Sequence, residues 1–195
     1  MKLLNCGKIN TSFEHESPAD FLTSQWQERD RSSVYLVYRW SIACFFVFSF
    51  VVSVITAVIR SELLVYLIYL THWNLIFTTA SMVLSAVLVT RYNKNQLNCD
   101  KMTKEMKILW FLSSSSYMYA FLISLIYWTL LFNKEKAVMD LNNVLVHMTN
   151  SLTLLIDLAV VKQPSRFGIF IFPLGCGIVY LFFSWLYPAL GGLNR

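Results

Sequence analysis

Charged residues are scarce in this chain. Asp, Glu, Lys and Arg make up 14% of its 195 residues, whereas a soluble domain usually carries about 25%. Hydrophobic residues make up 56%, and they occur in long blocks rather than in amphipathic stripes. Because an apolar run of about 18 residues can cross a bilayer, this pattern excludes an ordinary soluble domain and predicts a polytopic membrane protein.

The sequence also lacks the short motifs of common catalytic and cofactor sites. It contains no GxSxG elbow, HExxH zinc motif, Walker A loop or GxGxxG fingerprint. Its four cysteines show no metal-ligand spacing, so we expect unpaired thiols. The sequence therefore predicts no metal and no cofactor. We also expect no nucleic-acid partner, because basic and aromatic residues are not interleaved on any soluble stretch.

Five apolar blocks follow a polar N-terminal segment, residues 1–33. Backbone polar groups in lipid must be satisfied within the protein, so blocks of this length are expected to be helices. We predict an all-α fold, a polytopic transmembrane helix bundle of five spans within residues 34–190. Arg39, near the start of the first span, is expected to snorkel to the membrane interface. The predicted spans cover about 34–59, 63–90, 108–132, 144–161 and 167–190.

The positions of Lys and Arg predict the orientation. They are concentrated in residues 1–33 and in the polar loop 91–107, which lie on the same side of a five-span bundle. Cytoplasmic loops carry an excess of these residues, so the N-terminus is predicted to be cytoplasmic. The glycosylation sequon that begins at Asn10 would then carry no glycan.

Three polar residues interrupt the fourth apolar block. His147, Asn150 and Asp157 are spaced so that they share one face of a helix. A polar stripe of this kind normally faces the bundle interior or a wet cavity. Two interpretations remain open: the stripe forms hydrogen bonds that hold helices together, or it belongs to a functional site, as intramembrane ionisable residues often do.

A second polar cluster lies in the second span. Thr71 and Asn74 are three residues apart, on nearly one helix face. A hydroxyl nucleophile beside a His base is the pairing used in acyl transfer. Thr71 and His147 are therefore the candidate catalytic residues for hydrolysis of a lipid ester, with Asn74, Asn150 and Asp157 as a supporting polar stripe. The alternative is that Thr71 only bonds to its own helix turn.

Four segments, in order along the chain, resemble the rolling stone family of multi-pass membrane proteins. The resemblance implies a non-enzymatic role in membrane or cell–cell fusion of the myoblast type, with the bilayer and other membrane proteins as partners. It implies the plasma membrane as location, with the endoplasmic reticulum as alternative, and a six-span fold shortened here at the C-terminus. The matching segments are YLVYRW (35–40), YLTHWN (69–74), HMTNSLTLLIDL (147–158) and PSRFGIFIFPLGCGIVYLFFSWLYPALGGLN (164–194).

The rolling stone family is in turn distantly similar to the androgen-induced membrane hydrolases. Those enzymes are understood to cleave fatty acid esters of hydroxy fatty acids with a Thr nucleophile and a His. By motif, Thr71 in YLT and His147 in HMTNS occupy the matching positions. This similarity implies a second function, an intramembrane Thr/His hydrolase with a lipid substrate. The sequence alone leaves open whether the chain is an enzyme.

Overall fold

Helices account for the regular structure of the chain, and the described residues contain no β-strand. A computed structural model describes residues 10–131 and 144–192, apart from the side chains of residues 130, 131 and 145–147. The α-helices are α1 (Ser33–Ile59), α2 (Leu70–Asn93), α3 (Lys104–Ile126), α4 (Asn150–Val160) and α5 (Ile171–Ala189).

Four stretches of the described chain are long and apolar enough to cross a membrane. They contain α1, α2, α3 and α5. The remaining helix, α4, has 11 residues, but it continues a π-helical stretch at Val144–Thr149. The prediction of an all-α, membrane-spanning helix bundle is confirmed.

The second apolar block begins with a separate short helix. Residues Leu63–Ile68 form a 3-10 helix, and Tyr69 then adopts an extended conformation, with φ −97° and ψ 122°, before α2 starts at Leu70. The third block is longer than its apolar residues suggest, because the side chain of Thr103 caps α3 by accepting a hydrogen bond from the backbone N–H of Met106 at 3.3 Å. The predicted end of that span, at residue 132, lies outside the described residues.

The N-terminal segment packs onto one end of the bundle. Phe21 and Leu22 are buried in an apolar cluster there. We call this end the N-terminal face. Because α2 and α4 both end at this face, the two helices run parallel to each other. The cluster also contains residues from the start of α1, the end of α2, the start of α3 and the stretch before α5, namely Tyr35, Leu88, Val89, Met106, Leu109, Trp110 and Ile169.

Backbone hydrogen bonds fasten the same segment to the end of α4. The N–H of Gln25 donates to the carbonyl of Val160 at 3.0 Å, and the N–H of Lys162 donates to the carbonyl of Thr23 at 3.2 Å. The indole of Trp26 donates to the carbonyl of Ala159 at 2.7 Å. The bonds to Val160 and Ala159 satisfy carbonyls that the end of a helix leaves without an intrahelical partner. Sequence reasoning described this segment only as polar and missed its docking.

Candidate functional site

An ion pair is buried in the bundle interior, on the side of the N-terminal face. Arg39 of α1 and Asp157 of α4 approach to 2.5 Å between Nη1 and Oδ1, and their side chains are 5% and 0% exposed. A charge in the membrane interior is costly unless it is paired, and burial of a pair is compensated only when further hydrogen bonds satisfy both groups. The surrounding side chains therefore decide whether the pair is stable.

Three hydroxyl groups complete the network around the ion pair. The Tyr38 hydroxyl donates to Asp157 Oδ1 at 3.0 Å, and the Tyr117 hydroxyl of α3 donates to Oδ2 at 2.8 Å. Ser85 of α2 accepts from Arg39 Nε at 2.8 Å and from Nη2 at 2.5 Å. Both carboxylate oxygens are thus bonded, and all three guanidinium nitrogens are engaged. The network ties α1, α2, α3 and α4 together at one depth.

The ring of Tyr35 adds a further contact to this network. The Arg39 guanidinium carbon lies 5.7 Å from the centroid of that ring, which is within the range of a cation–π interaction. Tyr35 in turn stacks on Tyr38, with the ring centroids 6.1 Å apart. The aromatic side chains therefore shield the charged groups from lipid as well as bonding to them.

A large apolar cavity lies between the start of α2, α3 and α5. Its volume is about 510 Å³, and Thr71 lines it together with four tyrosines. Pockets of this size and apolar lining are typical of small-molecule or lipid sites. Among the apolar lining residues are Leu122, Ile123 and Ile126 of α3 and Leu174, Ile178 and Leu181 of α5.

One hydroxyl group joins α5 to the break before α2. The Tyr180 hydroxyl accepts a hydrogen bond from the N–H of Leu70 at 3.1 Å and donates to the carbonyl of Ile68 at 2.8 Å. These backbone groups flank the extended residue Tyr69, where no helical bonds are available to them. Tyr180 therefore fixes both the start of α2 and one wall of the cavity.

Comparison with known proteins identifies the family of the chain. A family model described as Protein rolling stone matches residues 4–195. The chain belongs to the rolling stone family. Among curated proteins, Protein rolling stone of Drosophila melanogaster is 28% identical over 200 residues, which cover 96% of this chain and 72% of the relative. No solved structure matches the chain.

In this member of the rolling stone family, the expectation that Arg39 snorkels is wrong. The helix α1 begins at Ser33, so Arg39 lies about 9 Å along it, and its side chain turns inward to Asp157. A signal for this pairing was present in the sequence. Among Asp, Glu, Lys and Arg, the five predicted spans contain one cation, Arg39, and one anion, Asp157. Intramembrane charges of opposite sign commonly pair with each other.

The predicted stripe of the fourth block is only partly visible. Asn150 and Asp157 are both buried in the bundle interior, and they occupy one face of α4 together with the buried Leu154. His147 belongs to the π-helical stretch before α4, but its side chain lies outside the described residues. Its role as a catalytic base stays a prediction.

The two polar residues predicted in the second span have different surroundings. Thr71 lies in the first turn of α2, half-buried, and lines the apolar cavity. Asn74 is buried in the bundle interior, and neither amide atom has a described hydrogen-bond partner. The neighbouring His72 is already engaged: its ring stacks on Tyr66 at 3.7 Å, and its Nδ1 donates to the Tyr66 carbonyl at 2.6 Å.

Proposed function

We propose that this chain is a multi-pass membrane protein with a non-enzymatic role in membrane or cell–cell fusion of the myoblast type. Its membership of the rolling stone family supports this function. The observation that carries the non-enzymatic part is the network around Arg39 and Asp157. The charged side chains of this network are paired and hydrogen-bonded with groups from four helices. We therefore assign the network to assembly of the bundle rather than to a reaction.

Exposed aromatic residues at the N-terminal face support a role at the membrane surface. Trp26 is 76% exposed and Phe167 is 93% exposed. Aromatic side chains at the ends of membrane helices anchor a protein at the level of the lipid headgroups. In this proposal the rigid bundle holds Trp26 and Phe167 in place, and they fix the protein at the bilayer interface.

We further propose that the N-terminal face is cytoplasmic and that the protein resides in the plasma membrane. Three basic residues, one in the first turn of α3 and two in the connection after α4, contact the N-terminal segment. Lys107 pairs with Glu14, Lys162 pairs with Asp20 at 2.9 Å, and Arg166 donates to the carbonyl of Glu14 at 2.7 Å. Basic residues near span ends favour the cytoplasmic side. Glycan attached at Asn10 in cells would contradict this orientation.

A content-mixing assay tests the fusion proposal. Two cell populations carry complementary halves of a split luciferase, and one or both express the chain at measured surface levels. We expect luciferase activity to rise with expression, to fall for the Trp26→Ala/Phe167→Ala variant at equal surface level, and to persist for Thr71→Ala. Absence of any rise with the parent chain at the cell surface would refute the fusion role.

The second candidate function is hydrolysis of lipid esters, such as fatty acid esters of hydroxy fatty acids. The observation that favours it is the position of Thr71 on the wall of a 510 Å³ apolar cavity between membrane helices. An acyl chain fits the apolar lining. The Thr71 hydroxyl would attack the ester carbonyl while His147, the proposed base, takes its proton, and the alcohol would leave with that proton. Water would then cleave the acyl-threonine ester, which releases the fatty acid and restores Thr71.

Purified protein in detergent separates the two candidates. The parent chain, Thr71→Ala and His147→Ala are each incubated with a fluorophosphonate probe and with a branched lipid ester. Hydrolysis requires that the parent chain be labelled and turn over the ester, and that both variants lose turnover while keeping the parent's thermal stability. A parent chain that is neither labelled nor active leaves the non-enzymatic function as the sole candidate.

A further inference from the structure

Four polar residues in the bundle interior carry side-chain atoms without a hydrogen-bond partner among the described residues. These atoms are both amide atoms of Asn74, the hydroxyl oxygens of Thr78 and Ser81, and Oδ1 of Asn150. All four residues are at most 2% exposed. Buried polar side-chain atoms normally have a partner, and an unpaired one carries the full cost of leaving water. Four such residues in one bundle point to a ligand.

Some hydroxyl groups of α2 bond to the preceding turn of their own helix, and others do not. Thr79 donates to the carbonyl of Leu75 at 2.7 Å, and Thr90 donates to the carbonyl of Ala86 at 2.7 Å. This bond to the preceding turn is the usual way for Ser and Thr to satisfy themselves within a membrane helix. Thr78 and Ser81 do not make it. Their hydroxyl groups remain available for another partner in the interior.

The unpaired groups on α2 lie on one helix face with the ion-pair network. Asn74, Thr78, Ser81 and Ser85 follow one another at spacings of four, three and four residues, which keeps them within about 60° around the helix. Ser85 is the residue that accepts from Arg39. The face therefore runs for about 16 Å, at 1.5 Å per residue, from Asn74 to the buried charges.

Asn150 lies at the same depth as this face. Arg39 holds both Ser85 of α2 and Asp157 of α4, so these two residues are level in the bundle. Because α2 and α4 run parallel and both end at the N-terminal face, a position seven residues earlier in either helix lies about 10 Å farther from that face. That step leads from Ser85 to Thr78 and from Asp157 to Asn150. The unpaired oxygen of Asn150 therefore belongs to the same layer as the hydroxyl of Thr78.

The donors and acceptors of this set define the class of ligand. The Asn74 amide nitrogen donates, the two amide oxygens accept, and the Thr78 and Ser81 hydroxyl groups do either. The set has no net charge and mixes both roles, so a bare cation would leave the amide nitrogen without an acceptor. A hydroxyl group both donates and accepts, so it can form a hydrogen bond with any member of the set.

We propose that Asn74, Thr78, Ser81 and Asn150 form an internal binding site for a neutral hydroxyl ligand. Water and the hydroxyl group of a lipid alcohol share this chemistry. The site is distinct from the cavity at Thr71 and from the exposed aromatic residues, and it assigns a ligand to Asn74 and Asn150, which sequence analysis placed in a supporting polar stripe. Bound hydroxyl groups continue the hydrogen-bonded network of Arg39 and Asp157 toward the opposite end of the bundle.

Substitution of Thr78 by its apolar isostere tests the proposal by the sign of a stability change. In an occupied site, Thr78→Val removes a hydrogen bond to the ligand and lowers Tm by about 2–4 °C. In an empty site, the same change removes an unpaired buried hydroxyl and raises Tm. Thr79→Val is the matched control on the same helix, because the Thr79 hydroxyl is already satisfied by the carbonyl of its own turn at 2.7 Å, with a longer contact to the Phe46 carbonyl at 3.4 Å. This control is expected to change Tm by less than about 1 °C.

The measurement is made in lipid-free detergent and again with added monoacylglycerol. A Tm deficit of Thr78→Val relative to Thr79→Val in detergent alone identifies water as the ligand, and a deficit that appears only with monoacylglycerol identifies a lipid alcohol. Ser81→Ala provides a second test, with Ser115→Ala of α3 as control because its hydroxyl bonds to the carbonyl of Phe111 at 2.8 Å. Equal or higher Tm values for Thr78→Val and Ser81→Ala than for their controls under both conditions would overturn the proposal.

Discussion

Replacement of either Arg39 or Asp157 by an apolar residue is expected to destabilise the bundle strongly. The loss of stability should differ between the two replacements. Asp157→Leu leaves the guanidinium, which cannot lose its proton, with Ser85 as its described hydrogen-bond acceptor. Arg39→Met leaves the carboxyl group with two hydroxyl donors, Tyr38 and Tyr117, one for each of its oxygens. Asp157→Leu is therefore the more damaging change.

The expected magnitude follows from the burial of both groups. Removal of one member of a buried ion pair costs about 3–5 kcal/mol, because the other charge is left uncompensated. For a protein of this size each kcal/mol corresponds to about 2–4 °C in Tm. We expect Asp157→Leu to lower Tm by about 10–20 °C and Arg39→Met by about 6–10 °C. The double variant removes both charges and should recover most of the loss.

Thermal unfolding in detergent micelles, followed by the loss of the monodisperse peak in size-exclusion chromatography, measures these changes. Val37→Met is the control, because this residue lies on the exposed side of α1 and its substitution leaves the network intact. A double variant no more stable than Asp157→Leu alone would refute the account of the pair as mutually compensating charges. Single variants as stable as the control would refute the importance of the pair itself.

Three further predictions concern other parts of the molecule. Tyr180→Phe removes two hydrogen bonds at the start of α2 and should lower Tm by about 2–6 °C in the same assay; an unchanged Tm would contradict this role. Phe21→Ala removes a buried side chain by which the N-terminal segment packs onto the bundle, so loss of about 3–5 kcal/mol of packing should make that segment susceptible to brief trypsin digestion, unlike Glu28→Ala, whose side chain is exposed. Burial, with Asp100 acting in the same direction, raises the pKa of the Cys99 thiol; since the thiolate is the reactive form, labelling of Cys99 by N-ethylmaleimide should be slower at pH 7.5 than that of an unperturbed thiol, and should accelerate as pH rises.

The fold could be predicted from composition because lipid permits few solutions. Long apolar blocks must be helical in a membrane, and the described parts of these blocks are mostly helical in the structure. The inward position of Asn150 and Asp157 follows from helical periodicity in the same direct way. Both inferences use only local sequence, since neither requires knowledge of which helix contacts which.

The candidate site could not be predicted as completely, because it depends on pairs of residues far apart in the chain. Arg39 and Asp157 are separated by 118 positions, and local rules place a Lys or Arg near a helix end at the interface. The break at Tyr69 escaped notice because its stability comes from Tyr180, 110 positions after Leu70. The docking of the N-terminal segment depends likewise on the end of α4.

The 118-residue separation between Arg39 and Asp157 has a consequence for biogenesis. At about 5–20 residues per second, a ribosome needs roughly 6–24 s to synthesise that interval. The first helix therefore reaches the insertion machinery with an arginine whose counter-ion has not yet been translated. Until the fourth helix emerges, this side chain has to remain near the headgroups or be held by the translocon, and a nascent chain arrested before residue 157 would leave it there.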